Sequence, residues 1–264
     1  MLRSSTPRPA LLAAACLFAA AVHGYAQPLP PSTAVPVVFT TSITAGQARP
    51  GDPVRAKTIE AVFLPNGRVL PSGTSLTGHV VASTSFTFNP TPYAVQQPSV
   101  LSVRLDTIAG AGAALPVTLG LRALAGPVAS HEAEIPHTLD EIDGSNTRVL
   151  IGGDTTSPLE TTVLSPNGST VGYNHKQGSF ARLLAADSVN SGSNLRCDAT
   201  TTEQSIAIFS PHACGVYGLH AVSLAGNGNS TDGGNGDGVF VLESRQQPVK
   251  LYAGTTALLE VIAR

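Results

Sequence analysis

Short runs in which apolar and polar residues alternate recur along this chain, and they constrain its fold more than any other feature. Small, branched or aliphatic residues occupy every second position at 54–58, 101–106 and 117–122, with Arg122 among the intervening polar residues. A period of two is typical of antiparallel strands that bury one face. Further strand candidates lie at 148–151, 161–164, 205–209 and 239–242. The sequence therefore predicts an all-β fold.

Turn-forming sequences separate these runs. Pro65-Asn66-Gly67 and Pro166-Asn167-Gly168 each supply residues that tolerate a positive φ, so each predicts a hairpin. The Gly- and Ala-rich stretch 108–114 is predicted to be a flexible connector between two strands. Helical spacing of apolar residues occurs at 179–187, which predicts one or two turns of helix there.

The N-terminus has the order of features that signal peptidase recognises. Arg3 and Arg8 precede an apolar run at 10–22, and small residues end at Ala26 before Gln27. The run is roughly 13 residues long, whereas about 20 are needed to span a bilayer. We therefore predict a signal peptide over 1–26, with cleavage between Ala26 and Gln27.

A second hypothesis for the same segment is a lipoprotein signal. Cys16 would then carry the lipid, although apolar residues 17–22 would remain on the mature chain. No comparable apolar stretch follows in the sequence. We therefore expect an exported protein of the periplasm, the outer-membrane periphery or the cell exterior, without a transmembrane segment after signal removal.

Composition excludes some classes of partner. Charged residues make up 12% of the chain, the formal net charge is −2, and Trp is absent. Nucleic acids and anionic membranes attract proteins through clustered positive charge, which this balance does not provide. No nucleic-acid partner and no cofactor are predicted.

Two cysteines remain after the predicted cleavage, Cys197 and Cys214. In an oxidising compartment such an isolated pair is predicted to form one disulfide. Closing a loop of this length contributes about 3 kcal/mol in the chain-entropy model. The alternative is a nucleophilic Cys214 assisted by His212, but an exposed thiol outside the cytoplasm tends to oxidise.

One segment gathers potential metal ligands. Metal binding there would use His131, Glu134 and His137 around a divalent ion. The two histidines are six positions apart with Pro136 between them, which excludes the helical HExxH arrangement of metalloproteases. The alternative is a solvated, charged linker. The Gly- and Asn-rich segment 227–238 is interpreted as a long hairpin tip, because it lacks the repeat of a calcium loop.

No catalytic motif is present. The sequence has neither a Gly-x-Ser-x-Gly elbow nor a phosphate-binding Gly-Lys-Ser/Thr. Asp154, His175, His220 and a serine can form a triad only if the fold brings them together. A glycosidase needs two facing carboxylates. The candidates considered for such a pair are Glu160, Asp187, Glu203 and Glu243.

The run at 51–80, GDPVRAKTIEAVFLPNGRVLPSGTSLTGHV, contains a strand, a hairpin, and LPSGT leading into a Gly-containing strand. It resembles the β-barrel domain of conjugal-transfer and type IV secretion channel subunits, where a similar pattern opens the barrel. It is also similar to uncharacterised exported bacterial proteins that share this module. The resemblance covers about 51–126 and the C-terminal strand, which looks like the family's closing strand. It implies a barrel fold and a place in an envelope-spanning translocation complex.

These observations predict an all-β chain with a small β-barrel or sandwich-like module and a second, disulfide-stapled β lobe. The predicted order is a Pro-rich spacer at 27–36, the barrel-like module at 37–126, a charged linker at 127–147 and the second lobe at 148–264. An alternative places the last strand, 257–262, in the first module, which it would close. The function expected is a non-catalytic structural or binding module that meets a protein or glycan through its loops. The alternatives are a component of a translocation complex and a hydrolase whose site is hidden in the sequence.

Overall fold

The protein folds almost wholly into strands, which confirms the predicted all-β class. The predicted signal peptide, its cleavage site and the Cys16 alternative lie outside the described residues. The computed structural model describes residues 29–64, 67–89, 95–109, 114–135, 137–138, 146–157, 159–176, 178–184, 200–225 and 237–262.

Ten strands form one large sheet. In chain order they are β1 (Ala34–Phe39), β3 (Pro53–Thr58), β6 (Ser75–Thr84), β9 (Ser99–Ala109), β10 (Ala114–Pro116), β11 (Leu119–Ala125), β19 (Gly215–Tyr217), β20 (Ser223–Ala225), β21 (Val239–Ser244) and β23 (Thr256–Val261). Their spatial order is β19-β11-β23-β1-β3-β6-β9-β21-β20, and β10 pairs with β9. The two end strands, β19 and β20, are joined by the short segment 218–222, so the sheet is a nearly closed barrel.

Seven strands form a second sheet. They follow one another in chain order as β12 (His137–Thr138), β13 (Asn146–Val149), β14 (Thr155–Thr156), β15 (Thr162–Leu164), β16 (Thr170–His175), β17 (Gly178–Arg182) and β18 (Glu203–Ser205). Three two-stranded ribbons complete the strands: β2 (Ile43–Thr44) with β22 (Lys250–Leu251), β4 (Val62–Phe63) with β5 (Val69–Leu70), and β7 (Thr87–Asn89) with β8 (Val95–Gln97).

Alternation in the sequence translates directly into burial in β3. Val54, Ala56 and Thr58 are buried, and the intervening residues are exposed. The two predicted hairpins are also present as strand pairs, β4 with β5 and β15 with β16. Gly168 has the positive φ of 81° that its turn requires.

Alternation fails in β11, where all seven residues are buried. The second sheet covers the outer face of β1, β11 and β23 through a second apolar cluster, in which small residues such as Ala34 and Ala123 allow close approach. The sequence places Arg122 on a solvent-facing side, and this prediction is wrong, because Arg122 is only 1% exposed. Its guanidinium group donates instead to backbone carbonyls of the covering segment.

The helix lies elsewhere than predicted. Residues 179–182 belong to β17, which pairs with β16 on one side and β18 on the other, so this part of the predicted helix is wrong. The helix α1 (Pro127–Glu134) occupies the predicted linker and begins with a proline at its first turn, where the missing N–H costs nothing. Ser130 anchors it to the barrel through a 2.8 Å hydrogen bond with Thr256.

The barrel draws strands from both predicted modules. Strands β19, β20, β21 and β23 come from the segment predicted as the second lobe, yet they pair within the large sheet. In particular, β23 lies between β1 and β11. Within the described residues, no helix is long and apolar enough to cross a membrane.

Candidate functional site

A cavity of about 600 Å³ opens between the turn that follows β3 and the second sheet. Its charged and titratable lining consists of Glu60, Arg148, His175 and Lys176. We call this cavity the Glu60 cleft. Its volume lies within the range of about 300–1,000 Å³ typical of small-molecule sites.

Backbone contacts and one glycine fix the position of Glu60. The N–H of the preceding residue, Ile59, donates to the Pro36 carbonyl at 3.0 Å, and Ser72 donates to the Ile59 carbonyl at 2.6 Å. The carboxyl group packs against Gly178, which has a φ of 122°. A Cβ at position 178 would lie 1.7 Å from Glu60 Oε2, so only glycine leaves room for this carboxyl group.

Three buried polar atoms meet around this carboxyl group. Glu60 Oε2, Arg148 Nε and Ser205 Oγ form no hydrogen bond of good geometry within the described part of the chain. Buried polar atoms are nearly always paired, and each unpaired one costs about 1–3 kcal/mol. Glu60 and Arg148 both line the cavity, so their two atoms indicate a place where a ligand supplies better hydrogen-bond partners.

Burial raises the pKa of Glu60 from 4.5 to about 7. Ser205, the positive charge of Arg148 and the backbone of Ser179 favour the charged form, but loss of solvation outweighs them. Near neutral pH, a large share of Glu60 is therefore a neutral carboxylic acid, which can donate a hydrogen bond as well as accept one.

This shift predicts how stability depends on pH. Between the unfolded pKa of 4.5 and the folded pKa of about 7, the native state keeps a proton that the unfolded state has released. Raising the pH through this window should lower the free energy of unfolding, by roughly 2 kcal/mol after allowance for partial exposure. The Glu60→Gln variant should lack this component when urea unfolding is compared at about pH 5 and about pH 8.

The matched control for this prediction is Glu134→Gln, because Glu134 is an exposed acid on α1. It should keep the pH dependence of the native chain. A Glu60→Gln variant that follows the same pH dependence as the native chain would contradict the assignment.

A hydrogen-bond network around Asn174 supports one wall of the cleft. Asn174 donates to the carbonyls of Ser157 at 3.1 Å and Glu160 at 3.2 Å, and it also contacts the Thr156 hydroxyl. Ser179 donates to the Asn174 amide oxygen at 2.8 Å. This network holds β14, β16 and β17 in place beside Glu60.

An aromatic cavity of about 280 Å³ adjoins the cleft at His175 and is lined by Phe63, Phe180 and Glu203. Phe180 meets Phe63 edge-on at a centroid distance of 5.5 Å and His175 at 4.9 Å. His175 Nε2 lies 3.2 Å from Glu203 Oε1. The Phe63 ring is 41% exposed, which leaves an apolar surface open beside the polar cleft.

The residues predicted to bind metal are only partly described. His131 and Glu134 are exposed on α1, whereas the side chain of His137 lies outside the described part. Among the residues that the structure describes, no three His, Cys, Asp or Glu side chains cluster as metal ligands. The metal site stays a prediction, and metal analysis of protein purified without chelator would test it.

The predicted disulfide also extends beyond the described residues, since Cys197 lies outside them. Cys214 is buried, and its backbone N–H donates to the Tyr217 hydroxyl at 3.0 Å. We expect thiol titration of the denatured, exported protein to find no free thiol at these two positions. Two reactive thiols would contradict the predicted bridge and reopen the alternative of a reactive Cys214.

The histidines and the acid considered for a triad do not converge. Asp154 accepts hydrogen bonds from Ser210 at 2.5 Å and lies 3.1 Å from His212 Nδ1. His175 pairs with Glu203 instead, and the His220 carbonyl binds Gln247. In a triad the serine donates to the histidine, which the acid orients. Here the serine donates to the acid, and both are buried, so these contacts hold a loop.

The carboxylates considered for a glycosidase pair are dispersed. Glu203 lies with His175 in the aromatic cavity, Glu243 pairs with Arg245 at 3.1 Å, and Glu160 is exposed. Asp187 lies outside the described residues. Sequence reasoning missed Glu60, although its signal was available: it is the only acid between Asp52 and Asp106 and interrupts an apolar stretch.

No known family matches the chain, and no similar curated protein or solved structure is found. The resemblance to the barrel domain of channel subunits therefore depends on the sequence motifs alone.

Proposed function

We propose that this chain is an exported, non-catalytic binding module of the bacterial cell envelope or exterior, and that the Glu60 cleft holds its ligand. The observation that carries the proposal is a pair of buried polar atoms, Glu60 Oε2 and Arg148 Nε, which form no hydrogen bond of good geometry and belong to residues that line one cavity. A ligand that pairs with them removes a desolvation cost that the free protein bears.

The lysines of this chain provide a test of the site. The sequence contains three lysines, at positions 57, 176 and 250, and only Lys176 lines the cleft. All three are exposed, so each should react with an acylating reagent in the free protein. Glycans and peptides of the bacterial envelope are added one at a time, and acylation of each lysine is measured by mass spectrometry. A cleft ligand should protect Lys176 and leave Lys57 and Lys250 unprotected.

Two variants sharpen this test. Arg148→Gln removes a charge from the cleft and should abolish the protection of Lys176. Arg55→Gln is the matched control, because Arg55 is exposed on β3, away from the cleft. Equal protection of all three lysines, or no protection by any ligand, would overturn the proposed site. The bound ligand should be recovered chemically unchanged, and its conversion would contradict the non-catalytic role.

Export requires a separate measurement. The protein recovered from the periplasm or the medium should begin at Gln27. A chain that keeps residues 1–26 and stays in the cytoplasm would contradict export.

A second candidate function is a component of an envelope-spanning translocation complex. The observation in its favour is β23, which pairs with β1 and β11 as the resemblance to channel subunits implies for a closing strand. Crosslinking in the native envelope should then capture a multi-ring membrane complex. A protein that stays a free monomer throughout would count against this candidate.

A further inference from the structure

We propose that the Glu60 cleft binds an acidic sugar, with the sugar carboxylate at Arg148 and the sugar ring against Phe63. This inference rests on the proposed function, since it names the ligand class of the same cleft. Three independent features of the lining carry it: its charge, the state of Glu60 and the adjoining aromatic surface.

The charged groups that face the cleft leave an excess of positive charge. Arg148 on β13 and Lys176 at the end of β16 both line the cavity. In the described lining of the adjoining aromatic cavity, the carboxylate of Glu203 on β18 lies 3.2 Å from His175. A guanidinium group binds a carboxylate through two parallel hydrogen bonds, which favours Arg148 as the anchor for an anionic group.

Glu60 decides whether an anion is accepted. With its pKa raised to about 7 by burial, it is largely neutral under mildly acidic conditions. A neutral carboxyl group can donate a hydrogen bond to the ligand's carboxylate, whereas an ionised one repels it. Binding should therefore weaken as the pH rises above about 7. Glu60 is half-buried and lines the cavity.

The aromatic surface distinguishes a sugar from a simple carboxylate. Phe63 exposes 41% of its surface in the cavity that adjoins the cleft at His175. A pyranose ring has an apolar face of C–H groups that packs on an aromatic ring, and its hydroxyl groups bind polar side chains at the edge. His175 and Glu203 lie at that edge. The two adjoining cavities therefore provide a pocket for the carboxylate of the sugar and an aromatic surface for its ring.

The test uses the full mature chain and titrates it with glucuronate, glucose and lactate by calorimetry and ligand-observed NMR. At about pH 6, we expect glucuronate to bind at least about tenfold tighter than glucose, which lacks the carboxylate, and than lactate, which lacks the ring. Glucuronate affinity should fall about tenfold by pH 8, and Glu60→Gln should remove most of this dependence.

Phe63→Ala should weaken glucuronate binding, and Phe88→Ala is its matched control, because Phe88 is 56% exposed and does not line the cleft. A circular-dichroism spectrum of each variant verifies folding. Equal binding of glucose, equal binding of lactate or an unchanged affinity in Phe63→Ala would each overturn the acidic-sugar assignment. If glucuronate does not bind but another envelope ligand protects Lys176, the acidic-sugar assignment is wrong and the proposed binding function is retained. If no ligand protects Lys176, both proposals fall.

Discussion

Replacing Arg122 with alanine is expected to lower the free energy of unfolding by about 3 kcal/mol or more. The Arg122 guanidinium group donates to the carbonyls of Ala213 at 3.2 Å and Pro211 at 3.0 Å, and also to the carbonyl of Leu184. Its removal leaves buried carbonyls unpaired, at about 1–3 kcal/mol each, and opens a cavity beneath the second sheet. Urea unfolding followed by far-UV circular dichroism measures the loss.

The control for this prediction is Arg55→Ala, which removes an exposed arginine from β3. Surface changes of this kind usually alter stability by less than about 0.5 kcal/mol. A loss below about 1 kcal/mol in Arg122→Ala would show that the buried guanidinium group is not an anchor.

Two buried polar side chains, Arg122 and Asp154, hydrogen-bond to the same loop. Arg122 binds the carbonyls of Pro211 and Ala213, while Asp154, which is 1% exposed, accepts a hydrogen bond from Ser210. The segment 210–214 has no strand of its own. Because it lacks a ladder of backbone hydrogen bonds, these side chains supply partners that a strand would have provided.

The second large effect is expected at Gly78 on β6. A Cβ added there would lie 1.9 Å from the Arg104 carbonyl oxygen and 2.7 Å from Leu105 Cα. Both atoms belong to the backbone of β9, and the β6–β9 register shifts between Thr77 and Gly78. Glycine in a strand marks such bulges and close approaches. Gly78→Ala should therefore cost about 3 kcal/mol or more, because a strand must move to relieve the overlap.

Gly73→Ala separates this steric effect from backbone strain. Gly73 has a φ of 78°, but an added Cβ there would meet no atom within 4 Å. Its cost should be limited to about 1–2 kcal/mol for a left-handed conformation. If Gly78→Ala lost no more stability than Gly73→Ala, the close approach of β6 and β9 would not limit the barrel.

Sequence patterns predict the fold correctly where a strand has one buried face and one solvent-exposed face. In β3, the buried residues Val54, Ala56 and Thr58 are those that the alternation selects. The pattern misleads where tertiary packing covers the second face. In β11, Arg122 has the polar character of a surface position, yet its burial depends on carbonyls from residues 184, 211 and 213, which no local pattern reveals. The helical spacing at 179–187 misleads for the same reason, because residues 179–182 form β17 and pair with β16 and β18.

The candidate site was less predictable than the fold. Glu60 and Arg148 are 88 positions apart in the sequence and share no motif, so only the packing of the two sheets brings them to one cavity. A raised pKa follows from burial, which single-sequence reasoning does not supply. Glu60 interrupts an apolar stretch at 59–64, and no motif accompanies it.

The position of β23 between β1 and β11 has a consequence for how the chain acquires its structure. Thr256–Val261 must pair with Ala34–Phe39 and Leu119–Ala125, which are far away in the sequence. Contacts over such separations form slowly, because much of the chain must be ordered before they are made. The barrel therefore cannot be completed during synthesis until residues 256–261 are available, and a chain truncated before residue 256 lacks the strand that joins β1 to β11.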